Sequence, residues 1–230
     1  MAARKLSCTS TSDLDLLREA AADFRFLLNR GYPRAAALTL VGNRYNLPRQ
    51  ERQLLHRGVF AHHQAADRRR KLHSLREVCG EPLGVDGHNV LITLECAHRG
   101  FPLVAADDGF IRDVATLSRG YRRSAETLEA LTLLALYLRR HTSGPVTVFF
   151  DAPMSKSGEL ARQTQKIGAE HGLLLTAAAV PVPERQLLTF AGAVATSDTH
   201  LIDACTVLVD LAGELIRQHW PDYPRLIVLK

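Results

Sequence analysis

The chain has no long hydrophobic run. Its longest apolar stretches, "LTLLALYL" (131–138) and "LLLTAAAVPVP" (173–183), fall well short of the roughly 20 residues that a membrane-crossing helix needs. No apolar segment follows the basic residues of "MAARKLSCTSTSDLD", so a secretory leader is not expected and the sequence reads as cytoplasmic. Cysteine is scarce. Cys8, Cys79, Cys96 and Cys205 form no C-x-x-C pair, which argues against both a zinc knuckle and a disulfide framework. Neighbours such as His62 and His63 diverge by about 100° on a helix, so they make a poor metal pair. Repeats, low-complexity tracts and a G-x-x-x-x-G-K-[ST] loop are absent too, which removes P-loop chemistry. What remains is a 230-residue chain, 46% hydrophobic and 23% charged. That is an ordinary globular composition, with length for one large domain or a small one joined to a medium one.

Charge is unevenly spread. The net charge is +5, yet residues 1–80 carry 15 Lys and Arg against 7 Asp and Glu, and residues 81–230 carry 14 against 17. The basic part, 1–80, reads as helical. Asp13 can cap a first helix with Leu14, Leu17, Phe24, Leu27 and Leu28 near helical spacing. "NRGYP" (29–33) ends it, Gly31 suiting the position after the helix and Pro33 the first turn of the next. Two further helical runs give a helix-turn-helix outline. Arg30, Arg34, Arg44, Arg49, Arg52, Arg68, Arg69, Arg70 and Lys71 lie among Tyr32, Tyr45 and Phe60. Cations at this density would neutralise phosphates and release counterions, so this domain is expected to hold nucleic acid. A solvated basic face is the plainer alternative.

From residue 81 strand-like and helical runs alternate. "PLGVD" (82–86), "FPLVAAD" (101–107), "PVTVFFD" (145–151), "LLLTAAAV" (173–180) and "GAVATSD" (192–198) predict a parallel α/β sheet flanked by helices over 81–230. "RLIVLK" (225–230) is a candidate edge strand. Four of these runs end in aspartate: Asp86, Asp107-Asp108, Asp151 and Asp198. Open parallel sheets bind ligands outside the carboxyl ends of their strands. One Asp in such a place is commonly a helix cap or a turn residue. Four at one rim would repel by about 1 kcal/mol per pair at 4 Å even in bulk water, a cost that a cation offsets. All-oxygen donors favour Mg²⁺ or Mn²⁺ over zinc, and such an ion lowers the pKa of a bound water until it can attack phosphorus. The expected ligands and catalytic groups are Asp86, Asp108, Asp151 and Asp198. Asp108 is chosen over Asp107 because consecutive strand residues face opposite ways. Asp113, Thr196, Ser197 and Asp203 are expected beside these acids, orienting them. Gly87 reads as freeing the backbone past the strand, His88 as turned away, at the surface or behind the ligands, and Glu95 as a helix surface charge in preference to a group that supports the ligands from behind.

The loop "APMSKSGE" (152–159) suggests an anion subsite. Ser155, Lys156, Ser157 and the N–H groups opening the next helix could hold a phosphate; serine capping beside a surface lysine explains the same residues equally well.

"VDGHNVLI" (85–92), "FFDAP" (149–153) and "ATSDTHLID" (195–203) together resemble the PIN-like and NYN nuclease superfamily. Its members open on an Asp ending the first strand, often as D-G-x-N, and close on a T-x-D or S-x-D motif at a helix start. The resemblance implies metal-ligand roles for Asp86 and Asp198, with Asn89 orienting the site, and a homodimer among the candidate partners. The whole chain also resembles an uncharacterised prokaryotic family that joins an N-terminal helical domain of unknown function to a PIN-like domain. The function implied is a metal-dependent nuclease acting on RNA. The alternatives are a PIN-like nucleic-acid-binding protein without catalysis, and a phosphatase of small substrates.

Overall fold

A computed structural model describes residues 11–114, 125–142 and 144–230; Cys8 lies outside them. Contacts divide the chain into two compact units. The described parts of the first are 11–70, 102–114 and 225–230, and those of the second are 71–101, 125–142 and 144–224.

The first unit is helical, with a small sheet. Its helices are α1 (Thr11–Asn29), α2 (Arg34–Arg44), α3 (Arg49–Gly58) and α4 (His62–Lys71, which ends at the unit boundary). Gly31 ends α1 as expected. At φ 80° it lets Gly31 N–H reach Leu28 O at 3.0 Å and Tyr32 N–H reach Leu27 O at 3.1 Å, the paired bonds of a Schellman ending. Leu17, Phe24, Val41, Leu54 and Leu55 form its core with Val104 and Leu229. The last two come from a three-stranded sheet and its end. Here β3 (Leu103–Ala105) pairs antiparallel with β4 (Ile111–Asp113) and parallel with β9 (Leu226–Val228). "FPLVAAD" and "RLIVLK" therefore do not extend the large sheet. Their apolar side chains close the helical core instead.

The second unit is the α/β part. Strands β1 (Leu72–His73), β2 (Leu83–Asp86), β5 (Val146–Asp151), β6 (Leu175–Val180), β7 (Ala193–Ala195) and β8 (Leu208–Val209) form one sheet in the order β1-β8-β7-β2-β5-β6. Every pairing in it is parallel. Helices α5 (Gly87–His98), α6 (Ala125–His141), α7 (Ser157–Glu170), α8 (Pro183–Leu188), α9 (Thr199–Ala204) and α10 (Leu211–His219) flank it. "VTVFFD" shows why such runs become strands. Val146, Val148 and Phe150 are buried while Thr147, Phe149 and Asp151 stay half-buried, the period of two that a pleated strand demands. The chain winds from β2 outward to β5 and β6, then returns to β7 on the other side of β2. This reversal puts the topological switch point between β2 and β7. Among the described residues no helix is long and apolar enough to cross a membrane.

Candidate functional site

Parallel strands end at the same edge, so β7, β2 and β5 deliver Thr196-Ser197-Asp198, Asp86 and Asp151 together. Register also fixes the face. Asp86 pairs with Phe149, two residues before Asp151, so the three share one side of the sheet. Gly84 lies on that side with α8 against it: a Cβ there would meet the Phe190 ring at 2.9 Å. The chain entering α8 carries Glu184, an acid that the strand-end pattern passes over. A carboxylate four residues past the end of β6, just after Pro183 at the helix start, was the available signal.

Asp86 occupies the cap position of α5, yet its side chain makes no capping hydrogen bond. The Asn89 N–H, three residues on, lies near enough to favour the Asp86 anion, so the carboxylate faces both the helix start and the switch point. Thr196 Oγ1 donates to Asp86 Oδ2 at 2.9 Å and accepts from Asp198 N–H at 3.0 Å. Asn89 Oδ1 accepts from Ser197 N–H at 2.8 Å and from Ser197 Oγ at 2.9 Å. These bonds lace the start of α5 to the end of β7 across the switch point. Burial pushes the Asp86 carboxyl up to about 7, and Asp198 and Glu184 push the same way, while Thr196 and the nearby Asn89 N–H favour the anion. Asp151 is raised by burial and then by Glu184. Asp198 does cap: its Oδ1 accepts from His200 N–H at 2.9 Å and Leu201 N–H at 3.2 Å.

Three residues of α5 correct the expectations. Gly87 has no positive φ; its Cβ would sit 2.6 Å from the Phe150 ring, so close approach of β5 is what excludes a side chain. His88 is buried, and its Nδ1 accepts the Asp151 N–H at 3.0 Å. Burial lowers its pKa to about 4, keeping the ring neutral at physiological pH. Glu95 is likewise buried, at 1% exposure, and is not a surface charge.

Asp108 does not join these acids. It lies in the turn between β3 and β4, fully buried, with Arg112 at 2.7 Å and Arg68 at 3.0 Å. Burial alone would raise its carboxyl; Arg112 and Arg68 together outweigh burial and hold it below the usual carboxylate value. Asp107 accepts from Arg25 at 2.8 and 3.0 Å and from Phe60 N–H at 3.0 Å. Asp113 pairs with Arg57 at 2.9 Å, and burial, partly offset by Arg57, raises it. Asp113 therefore orients no ligand. These acids spend their charge inside the helical unit, and with it that unit's arginines.

Several expected nucleic-acid contacts are committed in the same way. Arg68 is 2% exposed. Arg34 lies over the rings of Phe24 and Phe60 at 5.2 and 4.6 Å and donates to His56 O and Val59 O. Burial, then Arg68 and Arg112, lower its pKa to about 10. Arg52 donates to Leu47 O at 2.8 Å, Arg69 to Asp107 O, and Lys71 to Ile202 O and Asp203 O. Asp203 thus contributes a carbonyl, and its side chain is exposed. Arg30, Arg44, Arg49 and Arg70 remain at the surface; Arg44 pairs with Asp23 and Arg70 with Asp67. At the start of α7, the single Ser157 hydroxyl proton is shared between Asp151 O at 2.6 Å and Met154 O at 2.7 Å, a structural use that takes it from a phosphate. Ser155 and Lys156 are exposed, with Lys156 at φ 65° opening the helix.

As the side chains stand, no three His, Cys, Asp or Glu among the described residues converge to hold a metal ion. Mg²⁺, however, keeps several waters and takes only one or two carboxylates directly. Asp86 and Asp151 supply that pair of oxygen donors; burial is the main cause that raises both carboxyls, and the lesser contribution of Glu184, with Asp198 at Asp86, is negative charge that a cation would relieve.

The site therefore belongs to an open parallel α/β protein with carboxylates at the switch point. The chain is a member of the family described as Domain of unknown function (DUF5616), whose model matches residues 75–214. A second model, Protein of unknown function (DUF434), matches residues 16–71. Among curated proteins the chain is similar to Uncharacterized protein MJ0935 of Methanocaldococcus jannaschii, with 33% identity over 150 residues, 65% of this chain and 72% of that protein. No solved structure gives a significant match.

Proposed function

We propose that the chain is a metal-dependent nuclease that hydrolyses phosphodiester bonds, with RNA as its substrate class. The observation that carries this reading is Asp86 at the switch point, on the same sheet face as Asp151 and near Glu184. Asp86 and Asp151 would hold Mg²⁺ or Mn²⁺, with Asp198 and Glu184 reaching it through water. The cation's contribution is to acidify a bound water for attack on phosphorus. Thr196 keeps one Asp86 oxygen occupied. Asn89 fixes the Ser197 backbone and thereby the approach of Asp198. Lys156, Ser155 and the first N–H groups of α7 would receive the phosphate, since a helix start favours anions. Exposed Arg30 and Arg49 would steer the strand by charge.

One observation favours a second reading, a nucleic-acid-binding protein without catalysis: Asp198 is already used as a helix cap. An assay with Mn²⁺ on single-stranded and hairpin RNA separates the two. The nuclease reading expects cleavage by the wild type and almost none by Asp86→Asn. Salt-sensitive RNA binding without cleavage in either form supports the second reading. Hydrolysis of a generic phosphomonoester but of no oligonucleotide would instead indicate a small-substrate phosphatase.

A further inference from the structure

Strand β5 outruns β2. In the parallel ladder Asp86 pairs with Phe149, after which the chain turns into α5 at Gly87. β5 continues to Asp151, still paired with Val180 of β6. Successive N–H groups of a strand point to opposite sides. The Ala152 N–H goes to Val180 O at 2.8 Å, so the Asp151 N–H faces the other way, where β2 has run out of carbonyls. An N–H buried there without an acceptor would cost about 1–3 kcal/mol. His88 supplies one: Nδ1 accepts at 3.0 Å. Its ring is held edge-on to Phe150, centroids 5.1 Å apart at 73°. Accepting at Nδ1 places the ring proton on Nε2.

We propose that His88 is a positioning residue. It extends the β2–β5 seam by one side-chain bond and so fixes Asp151 against Asp86, the carboxylates on which the cation would rest. The inference depends on the metal reading of the site for its consequence, and on the ladder alone for its geometry. An alanine removes the acceptor, a leucine removes it while filling the space, and an asparagine restores an acceptor near the place of Nδ1.

The test combines hydrogen exchange of the Asp151 amide with Mn²⁺ titration of the full chain. His88→Ala and His88→Leu should speed exchange at Asp151, leave Val148 protected, and weaken Mn²⁺ binding by about 10-fold or more. His88→Asn should return both measurements to within about threefold of wild type. Unchanged Mn²⁺ affinity in the leucine variant, or an asparagine that fails to rescue while Val148 stays protected, overturns the proposal. A wild type that binds no Mn²⁺ instead overturns the metal reading, and this inference falls with it; the two failures are told apart by the wild-type titration alone.

Discussion

The β3–β4 turn and the edge of the six-stranded sheet are built from the same residue and treat it in opposite ways. At the turn and along β4, Asp107, Asp108 and Asp113 each meet an arginine, and Asp108 meets two. At the sheet edge, Asp86, Asp151, Asp198 and Glu184 form no ion pair among the described residues. One group of acids is neutralised by the fold and serves stability. The other is left with its mutual repulsion, and natural sequences keep such a cost mainly where function needs it. Density of acid in a sequence does not separate these cases; the presence of a partnering cation does.

That contrast can be broken first at Asp108. Asp108→Ala would leave two buried guanidinium groups without their anion, and urea unfolding should show a loss of about 3–5 kcal/mol. Because the folded carboxyl lies below its ordinary value, its contribution is present above the unfolded pKa and is lost as pH falls through the folded one. The deficit of the variant should therefore shrink in acid. Next in size is Arg34→Ala, expected to cost about 1–3 kcal/mol through the carbonyls of His56 and Val59 that it leaves behind. Arg30→Ala and Arg49→Ala should leave unfolding unchanged and instead lower RNA affinity, each reducing the salt slope by about 1.

Asp86→Asn should move stability the other way. The folded carboxyl titrates at about 7 against a usual 3.8, so the folded state holds the proton more tightly. Its contribution is complete below the unfolded value and disappears as pH rises to about 7. The variant should thus match wild type near pH 4 and exceed it by about 1–2 kcal/mol at pH 8, discounted for partial exposure. Asp198→Ala should cost about 1 kcal/mol through lost capping of α9.

Much of this was legible in the residues. The alternation from 81 onward marks β2, β5, β6 and β7, and the strand-end acids Asp86, Asp151 and Asp198 do reach one edge. Asp108 was misplaced because "FPLVAAD" has the pattern of a strand without any sign of which sheet it joins. That choice is made by long-range packing of Val104 with Leu54 and Leu55 and by arginines distant in sequence. The use of Arg68 is hidden for the same reason: in the sequence it is one cation of a basic run, and its partner Asp108 lies 40 residues on. The hydrogen bond of His88 is not legible in the sequence because it follows from the unequal lengths of β2 and β5, a difference of two residues that hydropathy does not encode.

The central claim is that the unpaired acids at the sheet edge exist to hold a cation, and thermal unfolding with added Mn²⁺ tests it most directly. Tight binding to the folded chain stabilises it by about 2.7 kcal/mol at a hundredfold excess over Kd. Wild type should show a rise in Tm with Mn²⁺ that Asp86→Asn and Asp151→Asn lack. Equal rises in all three proteins, or none in the wild type, would contradict the account.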